Sequence, residues 1–216
     1  MPRESIKDKT TRTAKIISHL KKRYPEAKTA LTYGSVHQLM VATILSAQCT
    51  DERVNMVTPG LFKKYPSVEA FARANQKELE KEIFTTGFYV NKAKAIIRSA
   101  RQLIEWYGGK VPRKLDDLVK LTGVGRKTAS VVLGAGYGLA EGIVVDTHVG
   151  RLSRRLRLTR HDDPVKVEKD LMKLVPRDEW ILFSHLLIHH GRAICNARKP
   201  DCPACPINHL CPSARL

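Results

Sequence analysis

LTGVGRKTASVVLGAGYGLAEGIVVDTHV, from Leu121 to Val149, is the stretch from which the fold is read. It opens on a Gly-x-Gly turn, Gly123-Val124-Gly125, between two short apolar patterns, Leu115 to Leu121 and Thr128 to Leu133. Glycine has no Cβ, so its backbone can take positive φ and come close to a ligand. Where such a turn opens into a helix, the free amides and the positive end of the helix dipole favour a phosphate. The pattern predicts a helix-hairpin-helix at about residues 114–136, built to hold a nucleic-acid backbone. Arg126 and Lys127 follow the turn at once, and a lone carboxylate, Asp146, interrupts the apolar run from Ile143 to Val149.

Composition supports a polyanionic partner. The chain of 216 residues carries 38 Lys+Arg against 21 Asp+Glu, a net charge of +17. Such an excess gains from Coulomb attraction and from counterions released by DNA or RNA. No apolar run approaches the roughly 20 residues of a membrane-spanning helix. The first residues, MPRESIKDKTTRTAKII, have neither the apolar core nor the cleavage site of a signal peptide. An intracellular, soluble protein is expected. Aromatics are only 6% of the chain, too few for a surface built from many base-stacking platforms.

The rest of the chain has helical periodicity. The basic N-terminal segment, residues 1–28, carries an apolar stripe of Ala14, Ile17 and Leu20 and is expected to be a docked helix. Val36 to Ala47 is apolar almost all round, as in a helix buried at the centre of a helical domain. Ser67 can cap a helix, and Asn75 with Glu78 forms a capping box. Asn91 to Trp106 repeats Ala93, Ile96, Ile97, Ala100, Leu103 and Ile104 at 3.6-residue spacing, and Gly108-Gly109 ends it. Asp163-Pro164 gives an N-cap and a first-turn proline, and Trp180 to Ile188 is a further buried helix. The Ile143–Val145 run is too short to build a sheet. The fold class is all-α.

Lys127 has two readings. In the first turn of a helix, the dipole disfavours its ammonium form and partial burial would act in the same direction. A neutral lysine can attack a sugar carbon and form a Schiff base. The other reading is a lysine that only contacts phosphate. Asp146 can cap the helix after it, Thr147 to Leu156, and also serve as an ionised carboxylate that stabilises a developing sugar cation. Four of the five cysteines crowd the C-terminal tail as Cys195-x6-Cys202-x2-Cys205-x5-Cys211, with Cys49 standing apart. Inside a reducing cell this cluster points to a metal. Zinc and [4Fe–4S] both suit four thiolates, and the spacing leaves the choice open.

Leu121-Thr122-Gly123-Val124-Gly125-Arg126-Lys127-Thr128-Ala129, then Val145-Asp146-Thr147-His148-Val149, then the cysteine tail, together resemble the endonuclease III family. These are bifunctional DNA glycosylase/AP lyases of the helix-hairpin-helix (HhH-GPD) superfamily, and the similarity runs from about Thr29 to Cys211. The resemblance implies two helical domains flanking a DNA-binding cleft. One is a six-helix barrel at residues 29–140, carrying the hairpin. The other joins residues 1–28 to 141–216 and holds a [4Fe–4S] cluster on Cys195, Cys202, Cys205 and Cys211. Lys127 is the implied Schiff-base nucleophile and Asp146 the catalytic carboxylate. Gln48 matches the residue that fills the gap left by an extruded base, and Phe88 takes the place of an apolar wedge. Phe88 is bulkier than the leucine expected there, and Thr86 is more polar than the usual aliphatic residue. Gly123, Gly125, Arg126, Thr128 and His148 are further implied DNA contacts, with Arg192, Arg198 and Lys199 around the cysteines. Lone surface charge and a structural histidine are the plainer readings of the last four.

The implied activity is removal of damaged, oxidised pyrimidines followed by β-elimination at the abasic site. The implied partner is double-stranded DNA containing damaged bases or abasic sites, met by a monomer in the cytoplasm at the nucleoid. A mismatch-specific glycosylase is the nearest alternative, but such relatives usually lack a lysine at position 127. A non-catalytic helix-hairpin-helix module with structural zinc gives no reason for Asp146 or for the cysteine spacing.

Overall fold

The computed structural model describes residues 4–214; the ends of the expected second domain, residues 1–3 and 215–216, lie outside the described residues. In chain order the helices are α1 (Ile6–Arg23), α2 (Val36–Leu45), α3 (Asp51–Lys64), α4 (Val68–Ala72), α5 (Gln76–Glu82), α6 (Tyr89–Tyr107), α7 (Leu115–Leu118), α8 (Arg126–Val131), α9 (Thr147–Arg155), α10 (Pro164–Met172) and α11 (Trp180–Ala193). No strand occurs among the described residues, so the fold is all-α. The Ile143–Val145 run is loop, with Ile143 buried. The chain divides into two compact units, Ala30–Glu141 and Met1–Thr29 with Gly142–Leu216.

The Ala30–Glu141 unit is organised around α2. Every residue from Leu39 to Leu45 is buried, and this helix packs against α3, α6 and α8. Short polar residues set the helix starts. The side chains of Ser35, Thr50, Ser67 and Asn75 accept first-turn amide hydrogens of α2, α3, α4 and α5. Each replaces a bond that the helix cannot make for itself. Asn75 caps as expected, but Glu78 turns to Lys64, 3.7 Å away, rather than supplying the second half of a capping box. α6 starts at Tyr89 and ends at Gly108-Gly109, whose second amide returns to the Leu103 carbonyl at 2.9 Å. Its buried face holds Ala93, Ile96, Ile97, Ala100 and Leu103, but Ile104 is exposed and Lys92 is buried in the stripe. Residues 92, 96, 99 and 103 fall on one side of a helix, whereas Ile104 has turned past the edge of that face. After Val131 the chain continues into a π-helical turn, Val132–Gly136. The Tyr33 hydroxyl donates to the Ala135 carbonyl in that turn at 2.8 Å.

In the other unit the core joins α1, α9, α10 and α11 through Ile16, Ile17, Leu20, Leu152, Leu171, Phe183 and Leu187. The N-terminal stripe differs by one position from its sequence reading. Thr13 lies inside with Ile16, Ile17 and Leu20, while Ala14 is exposed. The Thr13 hydroxyl donates to the Lys9 carbonyl at 2.8 Å, which allows a polar side chain to be buried there. α11 has an inner face of Phe183, Leu186, Leu187 and His190, with Trp180, Leu182 and Ile188 half-buried rather than enclosed. Asp163 caps α10, accepting from the Lys166 amide at 3.0 Å, and Pro164 opens it.

Candidate active site

The hairpin is held from inside by its apolar residues. Leu118, Leu121 and Val124 are buried, and the Thr122 amide donates to the Gln102 side chain at 2.8 Å. Gly123 has φ +80°, and a Cβ there would lie 2.6 Å from the Ala95 Cβ on α6. Only glycine fits that backbone and that spacing. Gly125 differs: a Cβ there would meet nothing within 4 Å. It is the N-cap of α8, with φ −81° and ψ 172°, and has no side chain to satisfy the first-turn amides. Gly123, Gly125, Arg126 and Lys127 are all exposed, and Thr128 is half-buried. The hairpin therefore presents amides and two cations outward while its apolar side is fixed.

The sequence reading placed Lys127 in the first turn of a helix, and it is the second residue of α8. The expected partial burial is absent: the Lys127 side chain is exposed, while Ala129, about 200° further round α8, is buried.

Asp146 caps α9, with Oδ1 accepting the Val149 amide hydrogen at 2.8 Å. This half-buried carboxylate is fixed by backbone rather than by a cation. His148, on the same helix, faces α11. A Cβ at Gly191 would come within 2.8 Å of the His148 Nδ1, so a small residue at 191 lets α9 and α11 close on the ring. Burial lowers the basicity of His148, Asp146 opposes that shift, and Arg151 and Arg192 reinforce it. A neutral ring packed between helices is the plainer of the two readings given to this residue.

Gln48 and Phe88 share an uncommon geometry. Among the described residues only three non-glycine positions take positive φ: Gln48 at 52°, Phe88 at 49° and Arg157 at 52°. Gln48 is exposed in the turn after α2, and Phe88 stands at the N-cap of α6, 62% exposed. An aromatic side chain left in water at such a position is suited to insertion into an apolar stack. Thr86 is buried, with its hydroxyl donating to the Ile83 carbonyl at 2.7 Å. Its polarity is thus satisfied inside the protein.

The four tail cysteines line one cavity of about 320 Å³, together with Leu152, His190, Ile194 and Ile207. All are half-buried free thiols. Burial pushes the Cys205 thiol up to about 11, against a backbone hydrogen bond at Ile207, and the neighbouring Cys195, Cys211 and Cys202 add to the rise. Burial also raises Cys211. Thiols placed together in this way ionise on binding a cation. Arg155 spans the loop that follows Cys195: its guanidinium donates to the Asn196 and Ala197 carbonyls, each at 2.7 Å, and to Cys195 Sγ at 3.2 Å. His190 Nε2 lies 3.4 Å from Cys205 Sγ. Arg198 and Lys199 are exposed on that loop, and Arg192 is exposed at the end of α11. Cys49 is separate, packed half-buried against the core of the Ala30–Glu141 unit.

A glycine hairpin opening into a helix with a lysine in its first turn, in an all-helical chain of high positive charge, defines a class of DNA-handling helix-hairpin-helix proteins. Residues 41–177 match the HhH-GPD superfamily of base excision DNA repair proteins. The endonuclease III of Synechocystis sp. is 52% identical over 207 residues, covering 96% of this chain and 94% of that protein. The endonuclease III of Bacillus subtilis is 47% identical over 189 residues, covering 87% and 86%. A solved structure of a non-covalent endonuclease III–DNA complex superposes with a TM-score of 0.89 at 43% identity, covering 95% of this chain and 96% of that one. The chain belongs to the endonuclease III family of the HhH-GPD superfamily.

Proposed function

We infer that this protein is a bifunctional DNA glycosylase/AP lyase of base excision repair, which removes damaged pyrimidines from double-stranded DNA and cuts the strand at the abasic site. The observation that carries this reading is the exposed Lys127 on the first turn of α8, directly after the Gly123–Gly125 hairpin, in a chain of the endonuclease III family. No described helix is long and apolar enough to cross a membrane, and we place the protein in the cytoplasm, on chromosomal DNA.

A base stacked in a duplex is out of reach of a side chain, so the nucleotide must leave the stack, at a few kcal/mol. Phe88 and Gln48 fill the space it leaves. The amides after Gly123 and Gly125 hold a backbone phosphate, with Arg126 and Thr128 beside them. Lys127 attacks the sugar C1′ as a neutral amine, and the C1′–N bond to the base breaks with its electron pair leaving on the base. Bound DNA covers Lys127 and so supplies the desolvation that the free fold does not. Asp146, ionised and fixed by the Val149 amide, stabilises the positive charge that develops on the sugar. The amine loses a proton and the sugar ring opens to an iminium, which acidifies the C2′ hydrogen. Loss of that proton expels the 3′-phosphate and breaks the strand.

We assign a [4Fe–4S] cluster to Cys195, Cys202, Cys205 and Cys211. All four thiols line the 320 Å³ cavity, in a chain of the endonuclease III family. Four thiolates would give such a cluster one ligand on each iron. The bound group supplies a cross-link that fixes the Cys195–Cys211 loop. Arg198 and Lys199 on that loop, with Arg192, contact phosphate oxygens.

The test is incision of duplexes carrying single oxidised pyrimidines. Wild-type protein releases the base and nicks the strand, whereas Lys127→Ala does neither. A Lys127→Ala protein that nicks at the wild-type rate refutes the assignment.

A further inference from the structure

Lys92 lies outside every role given so far. It is 5% exposed, on the buried face of α6. Lysine is among the residues least often fully buried, because its ammonium must be paired or lose its charge. Here Nζ donates to the Leu45 carbonyl at 2.7 Å and to the Thr86 carbonyl at 2.8 Å. Leu45 is the last residue of α2, three before Gln48; Thr86 closes the short 3-10 turn Phe84–Thr86, two before Phe88.

We propose that Lys92 is a positioning residue for base extrusion: its buried ammonium ties the turn that presents Gln48 to the turn that presents Phe88, so that both enter the duplex as one unit. This rests on the reading of Gln48 and Phe88 as the residues that fill the vacated stack. Three further observations support it. Gln48 and Phe88 are the only non-glycine described residues of their unit at positive φ, a conformation that persists only when its surroundings enforce it. Each lies within three residues of a carbonyl held by the same ammonium. The Leu45 carbonyl is at the negative end of α2, where a cation is favoured. Burial lowers the basicity of Lys92 and the nearby Cys49 opposes it, so the helix end and the two carbonyls must hold the charge. Among the described residues no acidic side chain bonds to Nζ; the ammonium holds backbone carbonyls, and therefore reads the position of the two turns.

A lysine that only stabilised the fold would, when replaced, reduce all activities together. A positioning lysine divides them. Excision of a damaged base from duplex DNA needs the gap to be filled, whereas strand cleavage at an abasic site in a single-stranded oligonucleotide does not. Single-turnover rates of both reactions are measured for wild type, Lys92→Met, Lys92→Arg, Gln48→Ala and Phe88→Ala. Lys92→Met is expected to lose about tenfold or more in duplex excision and less than about twofold in single-strand cleavage. Lys92→Arg, which keeps the charge and two donors, is expected to recover part of the duplex rate. Gln48→Ala and Phe88→Ala are expected to lose more in duplex excision than in single-strand cleavage. If they do not divide the two rates, the reading of the inserted residues fails and the proposal falls with it. If they do and Lys92→Met does not, or if Lys92→Met slows both reactions equally, the proposal alone is overturned. Should Lys92→Met fail to fold, hydrogen exchange of the wild type decides. Amides of residues 46–50 and 86–89 that open at one shared rate support the tie, and independent rates overturn it.

Discussion

Replacing Gly123 with alanine puts a Cβ 2.6 Å from the Ala95 Cβ and requires an L side chain to hold φ +80°. The backbone conformation costs about 1–2 kcal/mol. Forcing one extra carbon against the Ala95 Cβ on α6 costs roughly 1–3 kcal/mol more. A loss of ~3 kcal/mol is expected, which lowers the melting temperature of a domain this size by roughly 10 °C. Gly125→Ala is the matched control, because φ −81° is open to any residue and a Cβ there has nothing within 4 Å. Its stability cost is below about 1 kcal/mol, that of a poorer N-cap. The two variants separate again in DNA binding. A methyl at 125 stands where a phosphate would approach the first-turn amides, and loss of a charge-assisted hydrogen bond worth about 1.5–3 kcal/mol weakens affinity roughly tenfold to a hundredfold. Differential scanning calorimetry and fluorescence anisotropy with an abasic-analogue duplex measure the two effects. Gly123→Ala melting with the wild type, or Gly125→Ala binding DNA as the wild type does, refutes this account of the hairpin.

Other expectations are independent of the hairpin. Burial against Phe71 pushes His37 down to about 4 from 6.5, with Glu69 opposing. The unfolded chain therefore takes the proton first, so the stability due to neutral His37 is full above pH 6.5 and is lost as the pH falls toward 4, by up to about 3 kcal/mol. Denaturant titrations of Ala30–Glu141 signals in the full chain should show a shallower acid slope for His37→Phe; equal slopes contradict the burial argument. Arg155→Met removes the donors to Asn196, Ala197 and Cys195. It should speed loss of visible iron–sulfur absorbance under a chelator by about tenfold, and unchanged bleaching would dismiss the clamp. Affinity for undamaged duplex should fall steeply with salt, by roughly 0.9 log units per log unit of salt for each phosphate neutralised; a flat dependence would remove the electrostatic part of the account.

Local features were legible in the sequence. Ser67, Asn75, Asp146 and Asp163 all cap the helices read for them, because a cap depends on residues within one turn. The turn at Gly123 was legible for the same reason, since its positive φ calls for glycine, whereas Gly125 takes φ −81° and has no such need. Features set by a neighbouring element were not. Thr13 rather than Ala14 is inside because positions 13, 16, 17 and 20 share the face that α1 turns to the core of its unit, with the Lys9 carbonyl accepting the hydroxyl. Ile104 is outside because α6 had already turned its apolar face elsewhere. Lys92 kept the register of that face, but a lysine in an apolar stripe does not disclose two waiting carbonyls from other segments. The exposure of Lys127 is not legible in its sequence, because nothing in the residues beside it states which side of α8 faces water. Spacing along the chain suits zinc and a cluster alike, and what it does not disclose is that the four thiols line one cavity.

The central claim is that Lys127 bonds covalently to the sugar. Borohydride reduction of wild-type protein with abasic duplex, followed by proteolysis and mass spectrometry, reads the attachment point directly. The expected result is a reduced sugar adduct on the peptide containing Lys127, and no adduct with Lys127→Ala. An adduct on another lysine in the wild type, or an undiminished yield from Lys127→Ala, contradicts the claim.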